Sequence, residues 1–376
     1  MSGRATVITH GCRSNLAEAD ALSRRWGEGA TVINSCAVTA EAVRAARAAA
    51  RAAARSGGAV VLTGCAATIA PDRFRDLPVR LVPNAAKLGR ANWGETLLSR
   101  GFLAVQDGCD HVCTFCVTRL ARGPSRSRPL AAVVGEVARM ADAGVAELVL
   151  TGIDTTSYSD GMFRLGDLVQ AILVQVPHLP RLRLSSLDCA EVDGDGALLE
   201  AFTEPRLMPH IHLSLQSGDP LMLKRMRRRH APADAVRLVE RLKMLRPEIA
   251  IGADLIAGFP TEGAAAHSAS LALVGACDIV HAHIFPYSPR PGTAAARMPQ
   301  VPPALARARA AELREVAAEH RRRWLERLPG LPVEVVSEGA RGIAPQGHFV
   351  RFASARPRGA RVIARPDRVE REQLAE

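Results

Sequence analysis

Cys109, Cys113 and Cys116 follow the spacing C-x3-C-x2-C, directly after a short apolar run, Phe102–Gln106, that reads as a β-strand. Three thiolates so close on one loop can wrap a corner of a cubane iron–sulfur cluster, each on a different iron. Three ligands on four irons leave one iron open, as three protein ligands leave a position free at catalytic zinc. An open iron can take a small molecule through amino and carboxylate groups. The other reading of the loop is a zinc knuckle with His111 as fourth ligand, although His111 lies inside the loop, where the backbone would strain to reach. The opening residues Met1–Ile8 hold no charged stretch leading into an apolar run, so no signal peptide and a cytoplasmic location are expected. In that compartment thiols stay reduced, and eight cysteines point to metal ligation or catalysis rather than disulfides.

The loop sits within a longer alternation. Strand patterns at Phe102–Gln106, Glu147–Thr151, Arg181–Ser186, His210–Leu215, Ile249–Leu255 and Ile279–Phe285 are separated by helical ones. The helices are expected at Ala131–Ala143, Leu165–Val176, Gly196–Phe202, Ala233–Leu245 and Gly263–Val274, and a helix over Pro302–Arg327 closes the series. Six β/α units predict a partial (β/α)6 barrel with the cysteine loop at the C-terminal strand ends, where such barrels place their chemistry. Upstream, strands at Ala5–Thr9, Thr31–Asn34 and Val60–Thr63 alternate with helices at Ser14–Arg25 and from the N-cap Thr39 to Arg55, which predicts a small parallel sheet. Downstream, Val333–Ser337, His348–Phe352 and Ala360–Ile363 are short β-prone pieces between Gly and Pro. The fold class is therefore α/β, divided into residues 1–95, 96–328 and 329–376.

Cys12, Cys36 and Cys65 share no local motif, yet each follows one of the three N-terminal strands. In a parallel sheet those strand ends share one edge. Converging there, the three thiols would make a second three-cysteine site; separately buried thiols are the alternative. Cys189 and Cys277 have no partner at ligand spacing and read as ordinary thiols. His281 and His283 fall on one face of a strand, suited to metal ligation or to packing inside a barrel. A net charge of +11 points to a polyanionic partner such as nucleic acid, yet with only three lysines the same arginine excess follows from GC-rich coding. No G-x-x-x-x-G-K-[ST], no G-x-G-x-x-G after a strand and no nucleophile elbow is present. No apolar run reaches the roughly 18–20 residues that span a bilayer.

The cysteine loop, with Phe115 before its last cysteine, resembles the radical S-adenosylmethionine superfamily. Further blocks resemble its methylthiotransferase family across nearly the whole chain. They are Gly11-Cys12-Arg13-Ser14-Asn15-Leu16-Ala17-Glu18, Asn34-Ser35-Cys36-Ala37-Val38, Gly64-Cys65, Leu150-Thr151-Gly152, Leu213–Gly218, Asp254–Pro260 and Phe285–Thr293. The stretches Ala121–Arg128, Leu150–Asp154 and Met226–His230 look most like the branch acting on N6-threonylcarbamoyladenosine of tRNA. Arg119 stands where many relatives have proline, and Ser35 replaces threonine. The C-terminal segment resembles a TRAM domain, a small RNA-binding β-barrel, in short and degenerate form.

The resemblance implies two [4Fe-4S] clusters, one on Cys109, Cys113 and Cys116 and one on Cys12, Cys36 and Cys65, together with two molecules of S-adenosylmethionine. One S-adenosylmethionine is reductively cleaved to a radical that takes hydrogen from C2 of the adenine. Sulfur held at the N-terminal cluster is methylated by the other and delivered as methylthio. Phe115, Gln216, Arg228 and Asp254 are the expected S-adenosylmethionine contacts, and Arg119, Arg122, Arg126 and Arg128 the expected contacts with RNA phosphate. The expected partners are tRNA and a flavodoxin- or ferredoxin-type electron donor, for a monomer outside the membrane. The sister activities, on isopentenyladenosine of tRNA or an aspartate of a ribosomal protein, are the enzymatic alternatives. An iron–sulfur RNA-binding or regulatory protein is the non-enzymatic one.

Overall fold

The computed structural model describes residues 3–87, 95–97 and 99–376. At the N-terminus, β1 (Thr6–Thr9), β2 (Ala30–Ser35), β3 (Ala59–Gly64) and β4 (Arg80–Val82) form a parallel sheet in chain order. β2 and β3 are apolar and buried along most of their length because helices cover both faces. Ala46, Ala50 and Phe74 pack on one side, and Leu22 and Trp26 on the other. Thr39 caps the helix Ala40–Arg55, its hydroxyl accepting the Ala42 N–H at 3.1 Å. The helix expected over Ser14–Arg25 divides at Glu18 into Arg13–Ala17 and Ala19–Trp26, as the Glu18 carboxylate turns inward to Lys87. β4 was not expected, since three residues carry no periodicity.

β5 (Glu95–Leu97) runs antiparallel to β6 (Gly101–Ala104) and spans the expected 95/96 boundary, which adjoins residues 88–94 and 98 outside the described ones. After Val105 the chain enters a two-stranded antiparallel ribbon, β7 (Gln106–Asp107) with β8 (Arg126–Ser127), which brackets the cysteine loop. The parallel series continues through β9 (Leu148–Thr151), β10 (Leu182–Leu184), β11 (Ser186–Leu187), β12 (His210–Gln216), β13 (Ala250–Ala257) and β14 (Ile279–Pro286). Their order is that of the chain, with β10 and β11 one strand interrupted at Ser185. Six β/α units thus form an open, barrel-like arch around a continuous aliphatic core. Helix Pro303–Leu325 packs along β14 and closes it.

Beyond it, six short strands form one sheet: β15 (Val333–Ser337), β16 (Arg341–Ile343), β17 (Phe349–Arg351), β18 (Arg361–Ala364), β19 (Arg368–Glu370) and β20 (Gln373–Ala375). The sequence suggested three strands and a degenerate segment. The sheet is fuller, with its own core of Leu325, Val335, Val350, Phe352, Ala364 and Leu374. Three-residue strands joined by tight turns leave no alternation to read. The sheet is bolted to the N-terminal ends of the barrel strands through Glu147. That carboxylate meets Arg183 at 2.7 Å and Arg181 at 2.7 Å. Arg183 also donates to the carbonyl of Ala344 at 3.0 Å. Burial alone would raise the Glu147 carboxyl, but Arg183 and Arg181 outweigh it and hold it at about 2.

Candidate active site

The N-terminal trio is assembled by sheet register. Thr9 pairs with Asn34 and Ser35 with Gly64, so β1, β2 and β3 end level. Cys12 then stands at the N-terminal boundary of the helix Arg13–Ala17, without a capping hydrogen bond from its side chain, Cys36 leaves β2 directly, and Cys65 opens the helix Cys65–Ile69. Gly11 turns the chain at φ +89°, where a Cβ would lie 2.5 Å from the Cβ of Cys36. Only glycine takes that turn without strain. Cys36 lies within electrostatic reach of Cys12 and Cys65, and burial pushes its thiol up to about 11.

The second trio is local. Gln106, fully buried, donates from Nε2 to the carbonyl of Gly108 (2.8 Å), at the entrance to the loop, and to Ser125 Oγ (2.9 Å). Its Oε1 accepts the N–H groups of Ile153 (3.0 Å) and Asp154 (2.8 Å), tying the loop to the end of β9. Cys116 Sγ accepts from Thr118 N at 3.4 Å and contacts Thr118 Oγ1 at 3.1 Å. Arg228 Nη1 points at Cys113 Sγ from 3.6 Å, and Asp154 Oδ2 lies 3.6 Å from Cys109 Sγ. Burial pushes the Cys109 thiol up to about 12, with Asp154 adding to it. His111 Nε2 pairs with Asp154 at 2.7 Å.

A buried ion network joins the two trios. Glu18 takes Lys87 on one oxygen (2.7 Å) and Arg122 on the other (3.2 Å), while Arg122 reaches Asp107 (2.7 Å) and Asn15 Oδ1 (2.6 Å). Asn34 Nδ2 also donates to Glu18 at 2.8 Å. Burial would raise the Glu18 carboxyl, yet Lys87 and Arg122 hold it below the usual carboxylate range. Asn84 Nδ2 binds the carbonyl of Ala121 (2.8 Å) and points at Cys65 Sγ from 3.6 Å. Cys65 and Cys116 lie within electrostatic reach of each other, so the two sites are neighbours.

Cys116 opens on a cavity of about 210 Å³, lined by Val38 and Thr39 from the N-terminal unit, Phe115–Thr118 from the loop, and Gln216, Asp254, Ile256 and Phe285–Ser288 from the barrel; Cys12, Cys36 and Cys65 are not in its lining. Of the expected S-adenosylmethionine contacts, Phe115, Gln216 and Asp254 line it. Arg228 does not; it sits behind the loop, bound to Asp188, the carbonyl of Ser214 and Cys113. Phe115 meets Phe259 edge-on at 6.4 Å. Asp254 Oδ1 accepts from His212 (3.0 Å) and His283 (3.2 Å), and these ties outweigh burial to hold its carboxyl far below the usual range. His212, Asp254 and His283 bring their ligand-capable atoms within 4.8 Å of one another. His281 packs inside the barrel between His210 and Trp324.

The expected RNA arginines separate. Arg119 is exposed at the start of helix Thr118–Arg122, and Arg126 is exposed and paired with Asp107 at 2.9 Å. Arg128 is partly buried, its N–H bound to the carbonyl of Val105. Arg122 is a correction: its side chain is 2% exposed inside the network, where no phosphate reaches it. Cys189 and Cys277 are buried in the barrel core.

The donor sets suit iron–sulfur ligation. All six thiols are free. Among the described residues, no histidine or carboxylate joins Cys12, Cys36 and Cys65 at metal-binding distance, whereas His111 and Asp154 bring their ligand-capable atoms within 4.8 Å of Cys109 Sγ and of each other. Burial disfavours the bare thiolates of Cys36, Cys109 and Cys116, a penalty that a metal removes by taking the proton's place. Sequence reasoning missed Gln106, Lys87 and the tie that Glu18 makes. Glu18 stood inside a quoted block without a role, and Lys87 was one of three lysines in an arginine-rich chain.

Residues 103–269 match the Radical SAM superfamily. The threonylcarbamoyladenosine tRNA methylthiotransferase MtaB of Rickettsia prowazekii is 35% identical, over 92% of this chain and 90% of that protein. MtaB of Thermotoga maritima is 32% identical over 88% and 86%. The tRNA-2-methylthio-N(6)-dimethylallyladenosine synthase of Cereibacter sphaeroides is 38% identical over 72% of this chain and 58% of its own. Among solved structures, the radical S-adenosylmethionine methyltransferase TsrM of Kitasatospora setae shares the fold at a TM-score of 0.55 and 16% identity, over 76% and 75% of the two chains.

Proposed function

The chain belongs to the methylthiotransferase family of radical S-adenosylmethionine enzymes, and from that premise we propose that it acts on tRNA, converting N6-threonylcarbamoyladenosine beside the anticodon to its 2-methylthio derivative. S-Adenosylmethionine and a [4Fe-4S] cluster come with the family. Our reading places that cluster on Cys109, Cys113 and Cys116 and a second on Cys12, Cys36 and Cys65. The observation that carries it is the proximity of the two trios, Cys65 lying within electrostatic reach of Cys116, beside a cavity with Cys116 in one wall and Val38, two residues past Cys36, in another.

When bound, the clusters and S-adenosylmethionine supply the electron transfer, the radical and the transferred sulfur and methyl. The residues of the chain position and insulate them. Gln106 fixes the loop entrance, and Arg228 offers Cys113 a charged N–H. Lys87 and Arg122 lie beside Cys65, where their positive charges offset the charge of three thiolates. Phe115, Val117 and Ile256 keep the cavity wall apolar, and Gln216 and Asp254 give it two polar anchors. In this reading residues 1–95 form the domain of the second cluster, 96–328 the radical S-adenosylmethionine barrel and 329–376 the TRAM-like segment, a flavodoxin- or ferredoxin-type donor supplies electrons, and the enzyme works as a monomer. Exposed Arg119 and Arg126 meet RNA phosphate, and the six-stranded C-terminal sheet supports tRNA capture more than a degenerate segment would.

Mass spectrometry of tRNA nucleosides tests the proposal. A deletion strain should lose 2-methylthio-threonylcarbamoyladenosine, and reconstituted enzyme should restore it in vitro. Product on isopentenyladenosine or on a ribosomal protein alone would overturn it.

A further inference from the structure

We propose that His212 and His283 are positioning residues for S-adenosylmethionine, which fix Asp254 by one oxygen and leave the other to accept from the bound molecule. The proposal rests on the reading of Asp254 as an S-adenosylmethionine contact. In the sheet, Asp254 of β13 is paired with His283 of β14. His212 of β12 is paired with Gly252, two residues before Asp254 and on the same face. Gly252 has no side chain to fill that place, and His212 takes it: a Cβ there would lie 2.4 Å from His212 Nδ1. The other ring nitrogen, Nε2, reaches Asp254 Oδ1 at 3.0 Å, and His283 Nδ1 reaches the same oxygen at 3.2 Å. An ionised carboxylate only accepts, so each of those two nitrogens carries the hydrogen. The two rings lie against each other, their centroids 4.5 Å apart.

Several observations separate this arrangement from ordinary packing. Both histidines donate to one oxygen, and among the described residues no hydrogen bond goes to Asp254 Oδ2. Arg13 lies within electrostatic reach of the carboxylate without an ion pair to it among the described residues. The Asp254 side chain is 21% exposed and lines the cavity beside Phe115, Cys116 and Gln216, so its second oxygen is open to what the cavity holds. The His283 side chain is 61% exposed, and burial in a core therefore does not account for its place. Burial alone would raise the Asp254 carboxyl, yet the ties to His212 and His283 hold it far below the usual range, so it stays an acceptor. A carboxylate tied twice through one oxygen is held against rotation before its ligand arrives, and less is then lost on binding. S-Adenosylmethionine offers such an oxygen the hydroxyls of its ribose and the ammonium of its methionine end.

The test uses the unequal reach of the two donating nitrogens in the reconstituted enzyme. The amide nitrogen of asparagine stands about where histidine Nδ1 does, and that of glutamine about where Nε2 does. His283→Ala should raise the apparent KM for S-adenosylmethionine roughly 5- to 30-fold, read as 5′-deoxyadenosine, with the rate at saturation within about twofold of wild type. His283→Asn should restore most of the loss and His283→Gln little of it. At the other histidine the order reverses, with His212→Gln restoring and His212→Asn not. Asp254→Ala sets the scale, and adding His283→Ala to it should cost nothing more. Rescue that ignores amide length, or a double variant whose losses multiply, would overturn the positioning role. An unchanged KM in Asp254→Ala removes the contact itself, whereas a raised KM there with indifferent histidine variants removes only the positioning. Zinc, or iron beyond that of the cysteine sites, carried by the wild type and lost from His283→Ala would make His212, Asp254 and His283 a cation site and overturn the proposal as well. Cluster iron reports folding, and should the variants of buried His212 collapse, those of exposed His283 decide the matter.

Discussion

The two cysteine trios are assembled by opposite routes. Cys109, Cys113 and Cys116 are neighbours in sequence, and the β7/β8 ribbon and Gln106 clamp them locally. Cys12, Cys36 and Cys65 are brought together by the level ends of three parallel strands. A local site survives distant rearrangement, while an assembled site depends on every strand that feeds it. The pair also divides labour in the proposed reaction, one trio starting radical chemistry and the other delivering sulfur.

The largest expected effect comes from removing each trio in turn. Alanine at Cys109, Cys113 and Cys116 should abolish S-adenosylmethionine cleavage, read as 5′-deoxyadenosine, and with it all product. Alanine at Cys12, Cys36 and Cys65 should leave cleavage in place and stop methylthiolation. Each variant should lose about half the iron of the reconstituted wild type, as expected for equal clusters on three thiolates apiece. A second variant that keeps its full iron would reduce the N-terminal trio to buried thiols.

The same contrast explains how much could be read from sequence. The loop was legible because its spacing is local. The N-terminal trio was legible only once each cysteine was set after a strand, which the runs Thr31–Asn34 and Val60–Thr63 allowed. The ties between the sites were not. Glu18, Lys87 and Arg122 meet across long stretches of chain, and nothing in their own surroundings marks them for burial. Arg122 was read as a phosphate contact because it belongs to a basic run close to the cysteine loop; only the packed structure reveals Asp107 and Glu18 beside it. The C-terminal sheet was half legible, since its three-residue strands are set by cross-strand pairing.

Glu18 tests whether the trios are independent. Glu18→Ala leaves Lys87 and Arg122 buried without their shared carboxylate, and breaking such a pair costs about 3–5 kcal/mol. Denaturant unfolding should show the loss, and the N-terminal trio should bind iron less well, since Lys87 and Arg122 lie within electrostatic reach of Cys65; iron at the loop should fall too if Arg122 and Asp107, on the segments that flank it, hold the loop in place. A loss below about 1 kcal/mol would mean that water replaces the carboxylate and that the trios stand apart.

Glu147, at the other end of the barrel, is the control. Its carboxyl is held at about 2 against an ordinary 4.5. A folded value below the unfolded one gives stability that is complete above about 4.5 and lost as pH falls toward about 2, amounting to about 3 kcal/mol. Glu147→Gln should flatten that acid limb without changing iron content at neutral pH. Iron loss would show that the C-terminal sheet, which Glu147 anchors, also supports the cysteines.

The smallest effects come from two glycines, which compare the trios at the level of single turns. Gly11 and Gly108 both precede a cysteine, at φ +89° and +74°. At Gly11 an added Cβ would lie 2.5 Å from the Cβ of Cys36 and 2.7 Å from its Sγ, so the clash falls on another cysteine of the same trio. At Gly108 it would lie 1.9 Å from the carbonyl oxygen of Pro124, which is backbone and has little room to move. Each alanine should cost about 1–3 kcal/mol of strain. Their consequences should differ. Gly11→Ala should displace Cys36, lowering iron at the N-terminal trio and methylthiolation while 5′-deoxyadenosine still forms. Gly108→Ala should push the loop away from the Pro124 backbone and lower 5′-deoxyadenosine itself. Matching losses of both products in the two variants would mean that the trios are one rigid unit through Glu18 and Arg122, and the contrast between a local and an assembled site would give way to a single shared framework.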